Sequence, residues 1–226
     1  MIPAQVYCFP EAVPYARAVT LQESLVAQRI QDRIPDTVLL LQHPPVITLG
    51  RRGRREHLLA SPGQLEAAGV ELHLSARGGD VTFHGPGQWV LYPILKLSAR
   101  EMGTHGYLHA LEEIALQTAA AFGIPAFRRE GKAGAWCEQG KFAAIGFKFT
   151  RWVSWHGLSL NVRPDLRGFD LIHGCGLVGE PVTSFQAVLQ ADCPEMPAAA
   201  EVLLAKTAAV LQRQLTPRDP AGLPGN

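Results

Sequence analysis

The chain has 226 residues, of which 47% are hydrophobic and 18% charged, so one domain can bury a sizeable core. The formal net charge of +1 argues against a protein that binds nucleic acid through its whole surface, so electrostatic recognition must come from local clusters. No apolar run approaches the roughly 20 residues of a membrane span, and the first residues lack the basic and apolar pattern of a signal peptide.

Helix and strand patterns alternate in the first half of the chain. Apolar residues recur on one helical face from Tyr15 to Arg33, which predicts an amphipathic helix between Pro14 and Pro35. Strands are predicted over 37–42, 45–49, 70–74 and 88–95. The second of these strands leads into a basic loop, whose arginines are Arg51, Arg52, Arg54 and Arg55.

The second half of the chain has the same mixed character. A helix is predicted from Thr104 to Phe122, and Gly123 and Pro125 end it. The other predicted elements are strands near 124–128, 135–138, 141–149 and 155–162, and a helix near 197–214. Strands interleaved with a few long helices predict an α/β or α+β fold, with helices packed on a sheet. We expect one domain over 1–215 and a disordered, proline- and glycine-rich tail over 216–226.

A glycine- and proline-rich segment spans 77–88, with the sequence RGGDVTFHGPGQ. Five glycines and prolines in twelve residues predict a shaped backbone rather than the interior of a strand. Such a loop can bring backbone N–H groups close to a carbonyl or a phosphate. The alternative is a tight surface turn, and the embedded Arg77, Asp80 and His84 make it the less favoured one.

A lysine begins an otherwise apolar strand face in the segment 140–149. Strict alternation would place Lys141, Ala143 and Ile145 on one face of this strand. Spacing alone favours a lysine that reaches into water from a strand end. The alternative is a partly desolvated lysine that is suited to proton transfer.

Of the four cysteines, Cys175 has the setting of a reactive thiol. It lies between Gly174 and Gly176, with His173 two residues before it, so the thiol and the backbone are accessible to a substrate carbonyl. Cys8 and Cys137 fit small residues of the core, and Cys193 fits a thiol in a surface loop. Because the cysteines are far apart and lack CxxC spacing, we expect reduced thiols in a cytoplasmic protein.

The histidines do not form a metal-binding motif. His84, His156, His173 and Cys175 could together hold a metal, but no pair of them has the close spacing that is typical of zinc ligands. His43, which precedes two prolines, is a further candidate for the site. The remaining histidines are expected on the surface or in loops: His57, His73, His105 and His109.

These segments together resemble the lipoyl(octanoyl) transferases. The resemblance rests on RGGDVTFHGPGQ at 77–88, REGKAGAW at 129–136, GKFAAIG at 140–146, RWVSWHGLSLNV at 151–162 and CGL at 175–177. The order and spacing of these motifs over about residues 40 to 190 make it specific. It implies the fold of the biotin and lipoate protein ligases, a mixed β-sheet flanked by helices.

The resemblance also assigns roles to residues. Cys175 matches the nucleophile that forms an acyl thioester, and Lys141 matches the lysine that activates its thiol. The segments that match the acyl pocket contain Arg77, Gly78, Gly79, Asp80, Val81, Thr82, Phe83, His84, Ala144, Ile145, Gly146, Gly157, Leu158 and Ser159. The chain departs from the family pattern at Gly174, where proline is usual, and at Phe142, where an aliphatic residue is usual.

The activity implied by the resemblance is octanoyl transfer from acyl carrier protein, through Cys175, to a lysine of a lipoyl domain. The acceptors would be the lipoyl domains of 2-oxoacid dehydrogenases and the glycine cleavage H protein. No ATP, other cofactor or metal is expected, nor any nucleic-acid or membrane partner, and we expect a monomer. Two alternatives remain: an ATP-dependent lipoate or biotin ligase on the same fold, and a non-catalytic module that binds acyl carrier or lipoyl domains.

Overall fold

The computed structural model describes residues 1–98, 102–173 and 180–223. Helices α1 to α5 of these ranges span Tyr15–Ile30, Pro62–Ala67, Thr104–Ala121, Phe185–Leu189 and Met196–Val210. Strands β1 to β6 span Ile2–Cys8, Asp36–Leu41, Val46–Leu49, Glu71–Leu74, Val81–His84 and Gln88–Ile94. Strands β7 to β11 span Phe127–Arg129, Lys132–Cys137, Gly140–Thr150, Val153–Asn161 and Arg213–Arg218.

Two sheets organise the described residues. The larger has eight strands in the order β11-β1-β2-β6-β10-β9-β8-β7, and the smaller has three in the order β4-β3-β5. In the larger sheet β1 runs parallel to β11 and β2, and the remaining neighbours are antiparallel. This architecture confirms the predicted mixed sheet flanked by helices.

Helices cover both faces of the larger sheet, because its strands are apolar on both sides. In β2, Val38 and Leu40 belong to the core that contains α3 and α5 residues, whereas Leu39 and Leu41 pack with α1. Such a continuous apolar run is expected of a strand buried on both faces. A third, smaller core lies under the β4-β3-β5 sheet. No helix in the described ranges is long and apolar enough to cross a membrane.

The C-terminal segment corrects one expectation, because residues 216–218 are not a disordered tail. They belong to β11, which pairs in parallel with β1 at the edge of the sheet. Proline is tolerated in edge strands, so Pro217 does not prevent this pairing. The Arg213 guanidinium anchors the strand by donating to Asp36 Oδ2 at 2.7 Å, and Leu223 is buried against the α1 side of the core. Residues 224–226 lie outside the described part of the chain.

The glycine-rich segment 77–88 also differs from expectation, because it contains the strand β5. Val81 to His84 pair with β3, from Leu49 back to Val46. The glycines and prolines fall on both sides of these four residues, and Val, Thr and Phe themselves favour a strand. The segment therefore consists of a shaped loop, a short strand and a turn.

Candidate active site

Lys141 lies near the start of β9 and is only 8% exposed. Its backbone N–H donates to Pro181 O at 2.9 Å, and its carbonyl accepts from Thr183 N at 3.0 Å. The burial supports the desolvated lysine over the lysine that reaches into water. The backbone pairing makes Lys141 the point where β9 meets the segment that follows residue 179.

A register slip next to Lys141 breaks the predicted alternation of β9. Trp136 of β8 pairs with Lys141, but the preceding Ala135 pairs with Ala143, so β9 contains one extra residue at Phe142. Phe142 and Ala143 consequently belong to the same core. Bulges of this kind redirect a side chain and occur often beside active sites. Here the bulge separates Lys141 from the regular apolar face that begins at Ala143.

Gly134 of β8 makes room for the Lys141 side chain. A Cβ at Gly134 would lie 2.5 Å from Lys141 Cε, and the residue has a φ of +123°, which disfavours other residue types. Lys141 Nζ lies 5.6 Å from the centroid of the Trp136 ring, within the range of a cation–π contact. The Lys141 side chain therefore lies against the backbone of Gly134 and near the ring of Trp136.

The described residues on both sides of 174–179 are fixed by contacts with other elements. His173 N donates to His57 O at 2.7 Å, and Ile172 bridges to Leu58. On the far side, Glu180 forms ion pairs with Arg129 and Lys132. The predicted nucleophile Cys175, with Gly174, lies outside the described residues.

A pocket of about 500 Å³, here called the outer pocket, opens in front of Lys141. Six residues predicted for the site line it: Gly78, Gly79, Asp80, Lys141, Ile145 and Gly146. The rest of its wall is formed by Arg52, Arg54, His57, Leu108, Gly131, Lys132, Ala133 and Phe147. Its volume is typical of a pocket for a small organic group.

A narrow passage leads inward from Lys141. A neck of about 30 Å³ is lined by Thr82, Lys141, Ala143, Ala144, Ser159, Asn161, Phe169 and Val182. It adjoins an inner pocket of about 30 Å³, because both share Thr82, Ala144 and Ser159. The predicted residues that line the inner pocket are Arg77, Thr82, His84, Ala144, Ile145, Gly146, Gly157, Leu158 and Ser159. The structure thus brings together the predicted pocket segments 77–84, 144–146 and 157–159.

Val81 and Phe83 are the predicted residues that line neither of these pockets nor the neck. Both belong to the small core under the β4-β3-β5 sheet. Successive side chains of a strand point to opposite faces, so Thr82 and His84 face the passage while Val81 and Phe83 face away from it. A motif segment therefore contains residues, such as Val81 and Phe83, that do not line the pocket.

The glycines of the passage are explained by backbone packing. A Cβ at Gly157 would lie 2.4 Å from Leu91 O on β6, and a Cβ at Gly146 would lie 2.8 Å from Gly78 O. Gly146 consequently lets β9 approach the glycine-rich loop, where Gly78 N donates to Phe147 O at 2.9 Å. This bond also means that the Gly78 N–H is already used and is not directed at a substrate.

The arginine loop is held against the glycine-rich loop by main-chain hydrogen bonds. Arg51 N donates to Arg77 O and Arg52 N donates to Gly79 O, each at 3.0 Å. The Arg77 guanidinium is buried and donates to Thr48 O at 2.6 Å. The loop is therefore fixed at the mouth of the outer pocket, while the side chains of its four arginines are exposed.

His57 is a residue of the pocket that the sequence reasoning missed, since it was expected on the surface. Its Nδ1 lies 2.5 Å from Asp80 Oδ2, and both side chains line the outer pocket. Asp80 Oδ1 also accepts the Arg54 N–H at 3.3 Å. No sequence signal would have found this pair, because 23 residues separate its members and no motif links them.

Three buried histidines surround the inner pocket. Burial lowers the pKa of His43 to about 4, and burial lowers the pKa of His84 to about 3. Burial, followed by the charge of Arg77, lowers the pKa of His156 to about 3. His43 does not line the inner pocket. Its Nε2 is hydrogen-bonded to the Tyr92 hydroxyl, 2.8 Å away. All three imidazoles are neutral at neutral pH.

The structure offers no assembled metal site in residues 1–98, 102–173 and 180–223, where no three His, Cys, Asp or Glu side chains come together. His84 Nδ1 is 2.6 Å from Gln88 Oε1, so it is occupied by an amide. Among the described cysteines, Cys137 is buried, as expected. Cys193, expected on the surface, is half-buried and packs against the core, whereas Cys8, expected in the core, is exposed.

Comparisons with known proteins agree with the resemblance drawn from the motifs. The family model described as the lipoyl protein ligase A/B catalytic domain matches residues 14–208. A protein of Syntrophotalea carbinolica named octanoyltransferase is 48% identical over 176 residues, which cover 78% of this chain and 80% of the relative. One of Chloroflexus aurantiacus with the same name is 46% identical over 193 residues, 84% of this chain and 85% of the relative.

The fold is also similar to that of a solved protein. The bipartite lipoate protein ligase of Thermoplasma acidophilum superposes with a TM-score of 0.75, and the match covers 97% of this chain and 88% of the ligase. The two sequences are 10% identical, so this similarity concerns the fold alone. It confirms the predicted fold of the lipoate ligases.

The three buried histidines predict that the protein loses stability in mild acid. An unfolded histidine titrates near pH 6.5, so below that pH the unfolded chain binds more protons than the folded one. Stability is then fully present above pH 6.5 and falls as the pH drops toward 3, by about 2 kcal/mol per histidine at pH 5. Urea unfolding at pH 7 and pH 5 measures this loss. His84→Gln should reduce it by about one third, whereas His105→Gln, at an exposed helix position, should not. Equal losses in all three proteins would contradict the assignment.

Proposed function

The chain belongs to the lipoyl protein ligase A/B catalytic domain family, and we propose that it is an octanoyltransferase of protein lipoylation. It takes an octanoyl group from acyl carrier protein onto Cys175 and passes it to a lysine of a lipoyl domain. The acceptors are the lipoyl domains of 2-oxoacid dehydrogenases and the glycine cleavage H protein.

One observation carries this proposal: a buried lysine lies where the outer pocket, the neck and the flanks of the Cys175 segment meet. Lys141 lines both spaces, and its backbone binds Pro181. On the other flank, His173 is tied to His57, which lines the same pocket. Cys175 follows His173 by two residues in the sequence. A thiol and a proton acceptor on these two flanks are suited to covalent acyl transfer.

In the first step Lys141 takes the proton of the Cys175 thiol, and the thiolate attacks the carbonyl carbon of the octanoyl thioester. The carbon–sulfur bond to the carrier breaks, and the leaving thiolate receives the proton from Lys141. A thioester is exchanged for a thioester, so the step is nearly balanced in energy. In the second step the neutral amine of the acceptor lysine attacks the carbonyl carbon of the acyl-enzyme, and the carbon–sulfur bond to Cys175 breaks. Lys141 takes the proton that the nitrogen loses and returns it to the Cys175 thiolate.

The acyl chain needs an apolar space without charge. Ala143, Ala144 and Leu158 contribute such surface along the neck and the inner pocket, and Leu108 and Phe147 contribute it in the outer pocket. The neutral histidines add no charge to the inner pocket. The Arg77 guanidinium is turned to Thr48, so its charge is compensated by the backbone and hydroxyl of that residue.

An ATP-dependent ligase on the same fold is the alternative, since the Thermoplasma neighbour is a lipoate protein ligase. It is not favoured, because relatives above 40% identity are named octanoyltransferase. The proposed reaction needs no cofactor, because the thioester already stores the required energy. A nucleophilic thiol needs a reducing compartment, so we propose that the protein is cytoplasmic. We also propose that it acts as a monomer.

Cys175→Ala is expected to abolish transfer while the protein stays folded. The parent mixed with octanoyl carrier protein, without nucleotide and with EDTA, should gain one octanoyl mass on the peptide that contains Cys175. Intact-mass and peptide spectrometry measure the adduct, and far-UV circular dichroism reports the fold. Cys193→Ala is the matched control and should acylate normally. Acylation of folded Cys175→Ala, or an absolute need for ATP, would refute the mechanism.

Lys141→Met is expected to slow acylation of Cys175 by about 10²–10⁴-fold, the usual contribution of a general base. Methionine keeps the apolar packing but accepts no proton, and Lys141→Arg should fail as well because a guanidinium does not release its proton. Alkylation by iodoacetamide over a range of pH tests the reason for the loss. The parent should react at lower pH than a free thiol, and Lys141→Met should need higher pH. Identical profiles would leave Lys141 without a role in activating the thiol.

The exposed arginine loop is expected to dock the acidic carrier protein, since it is a positive cluster fixed at the pocket mouth. Arg51→Glu combined with Arg55→Glu should raise the KM for octanoyl carrier protein and flatten its salt dependence. Arg17→Glu, at an exposed position of α1, is the matched control. An unchanged KM in the loop variant would show that the loop has no docking role.

A further inference from the structure

His57 and Asp80 form a carboxylate–imidazole pair on the wall of the outer pocket. The Nδ1–Oδ2 distance is 2.5 Å, and the side chains are 21% and 12% exposed. A carboxylate accepts hydrogen bonds, so the imidazole directs its Nδ1 proton to Asp80 and keeps a lone pair on Nε2. Within the part of the chain that the structure describes, no group is hydrogen-bonded to that Nε2.

The pair is held from three sides. Arg54 N–H donates to Asp80 Oδ1, and the Asp80 carbonyl accepts from Gly50 N at 2.9 Å. The His57 carbonyl accepts from His173 N. The imidazole therefore has a fixed orientation in the same pocket that Lys141 lines.

The two steps of the proposed reaction differ in their proton balance. Acylation of the enzyme moves one proton from the Cys175 thiol to the leaving carrier thiolate, and none is released. The acceptor lysine enters as an ammonium group, since a lysine in water titrates near 10.4, and it leaves as an amide. Two protons must therefore depart from its nitrogen. Lys141 can return one of them to the Cys175 thiolate, and the other needs a second acceptor.

We propose that His57, oriented by Asp80, is this second acceptor. His57 Nε2 takes one proton from the acceptor ammonium group, and the freed nitrogen forms its bond to the carbonyl carbon. The carbon–sulfur bond then breaks, its electron pair leaves with the sulfur, and His57 later releases the proton to solvent. The proposal rests on the octanoyltransferase function and divides the two proton transfers between His57 and Lys141.

The charges around His57 are consistent with this role. Asp80 stabilises the imidazolium that forms, as carboxylates do beside histidine bases. The charged residues closest to His57 in the sequence are Arg55 and Glu56, and the His57 carbonyl accepts from His173 N. The other charged groups that line the pocket are Arg52, Arg54, Lys132 and Lys141.

Separate measurement of the two steps tests the proposal. His57→Gln can still donate a hydrogen bond to Asp80 but accepts no proton. Enzyme acylation is followed by intact mass after mixing with octanoyl carrier protein, and the isolated acyl-enzyme is then mixed with a lipoyl domain in a single turnover. We expect an unchanged acylation rate and a transfer rate lowered by about 10²-fold, with the loss shrinking at high pH, where the acceptor amine is already neutral. Asp80→Asn should slow the same step.

His73→Gln is the matched control, because His73 also pairs with a carboxylate, Glu71, but lies outside the outer pocket. It should leave both steps unchanged. Added imidazole should restore transfer in His57→Ala, since a small base can enter the space left by the side chain. A purely structural role would not respond to imidazole.

The outcomes separate this inference from the proposed function. If the parent forms no acyl-enzyme, the octanoyltransferase proposal itself fails. If the parent is acylated but His57→Gln transfers the acyl group at the parental rate, or loses both steps equally without imidazole rescue, then His57 is not the second acceptor.

Discussion

The site depends on the backbone pairing of Lys141 with the chain that follows residue 179. Lys141 N donates to Pro181 O and Thr183 N donates to Lys141 O, so a chain segment 40 residues further on is joined to the start of β9. The same residue supplies the buried amine. Any displacement of this junction would move Lys141 and the described residues 181–183 together.

Compensation of charge around the junction allows a lysine to be buried there. Glu180, immediately before Pro181, forms ion pairs with Arg129 and Lys132, and the hydrogen bond from Lys132 lowers the pKa of Glu180. The Arg129 guanidinium also lies 4.4 Å from the centroid of the Trp136 ring, which Lys141 approaches as well. The Glu180 carboxylate and the Trp136 ring thus compensate part of the positive charge of the neighbouring cations. These cations therefore repel the buried Lys141 amine less strongly.

The sequence predicted those features that arise from local pattern. Apolar runs located β2, β3, β6 and β9, and the motifs identified Lys141 and most of the lining residues, because periodicity and glycine placement are local properties. The bulge at Phe142 could not be predicted, since it depends on how β9 is aligned with β8. The His57–Asp80 pair also escaped notice, because loop residues far apart in sequence meet only in the fold. The edge strand β11 was missed because Pro217 and the prolines and glycines after it indicated disorder, although an edge position tolerates proline.

The distribution of charge from mouth to interior reflects the chemistry proposed for each part. Exposed arginines surround the entrance, where a negatively charged protein would dock. The inner pocket instead holds histidines that burial keeps neutral, and an arginine whose guanidinium is bound to Thr48. An apolar acyl chain can lie beside neutral imidazoles without opposing a full charge, whereas a carboxylate or phosphate would have to give up its hydration there without a free cation to replace it. The passage proposed for the acyl chain would therefore disfavour a charged group, whereas the outer pocket, with Arg52, Arg54 and Lys132 in its wall, would not.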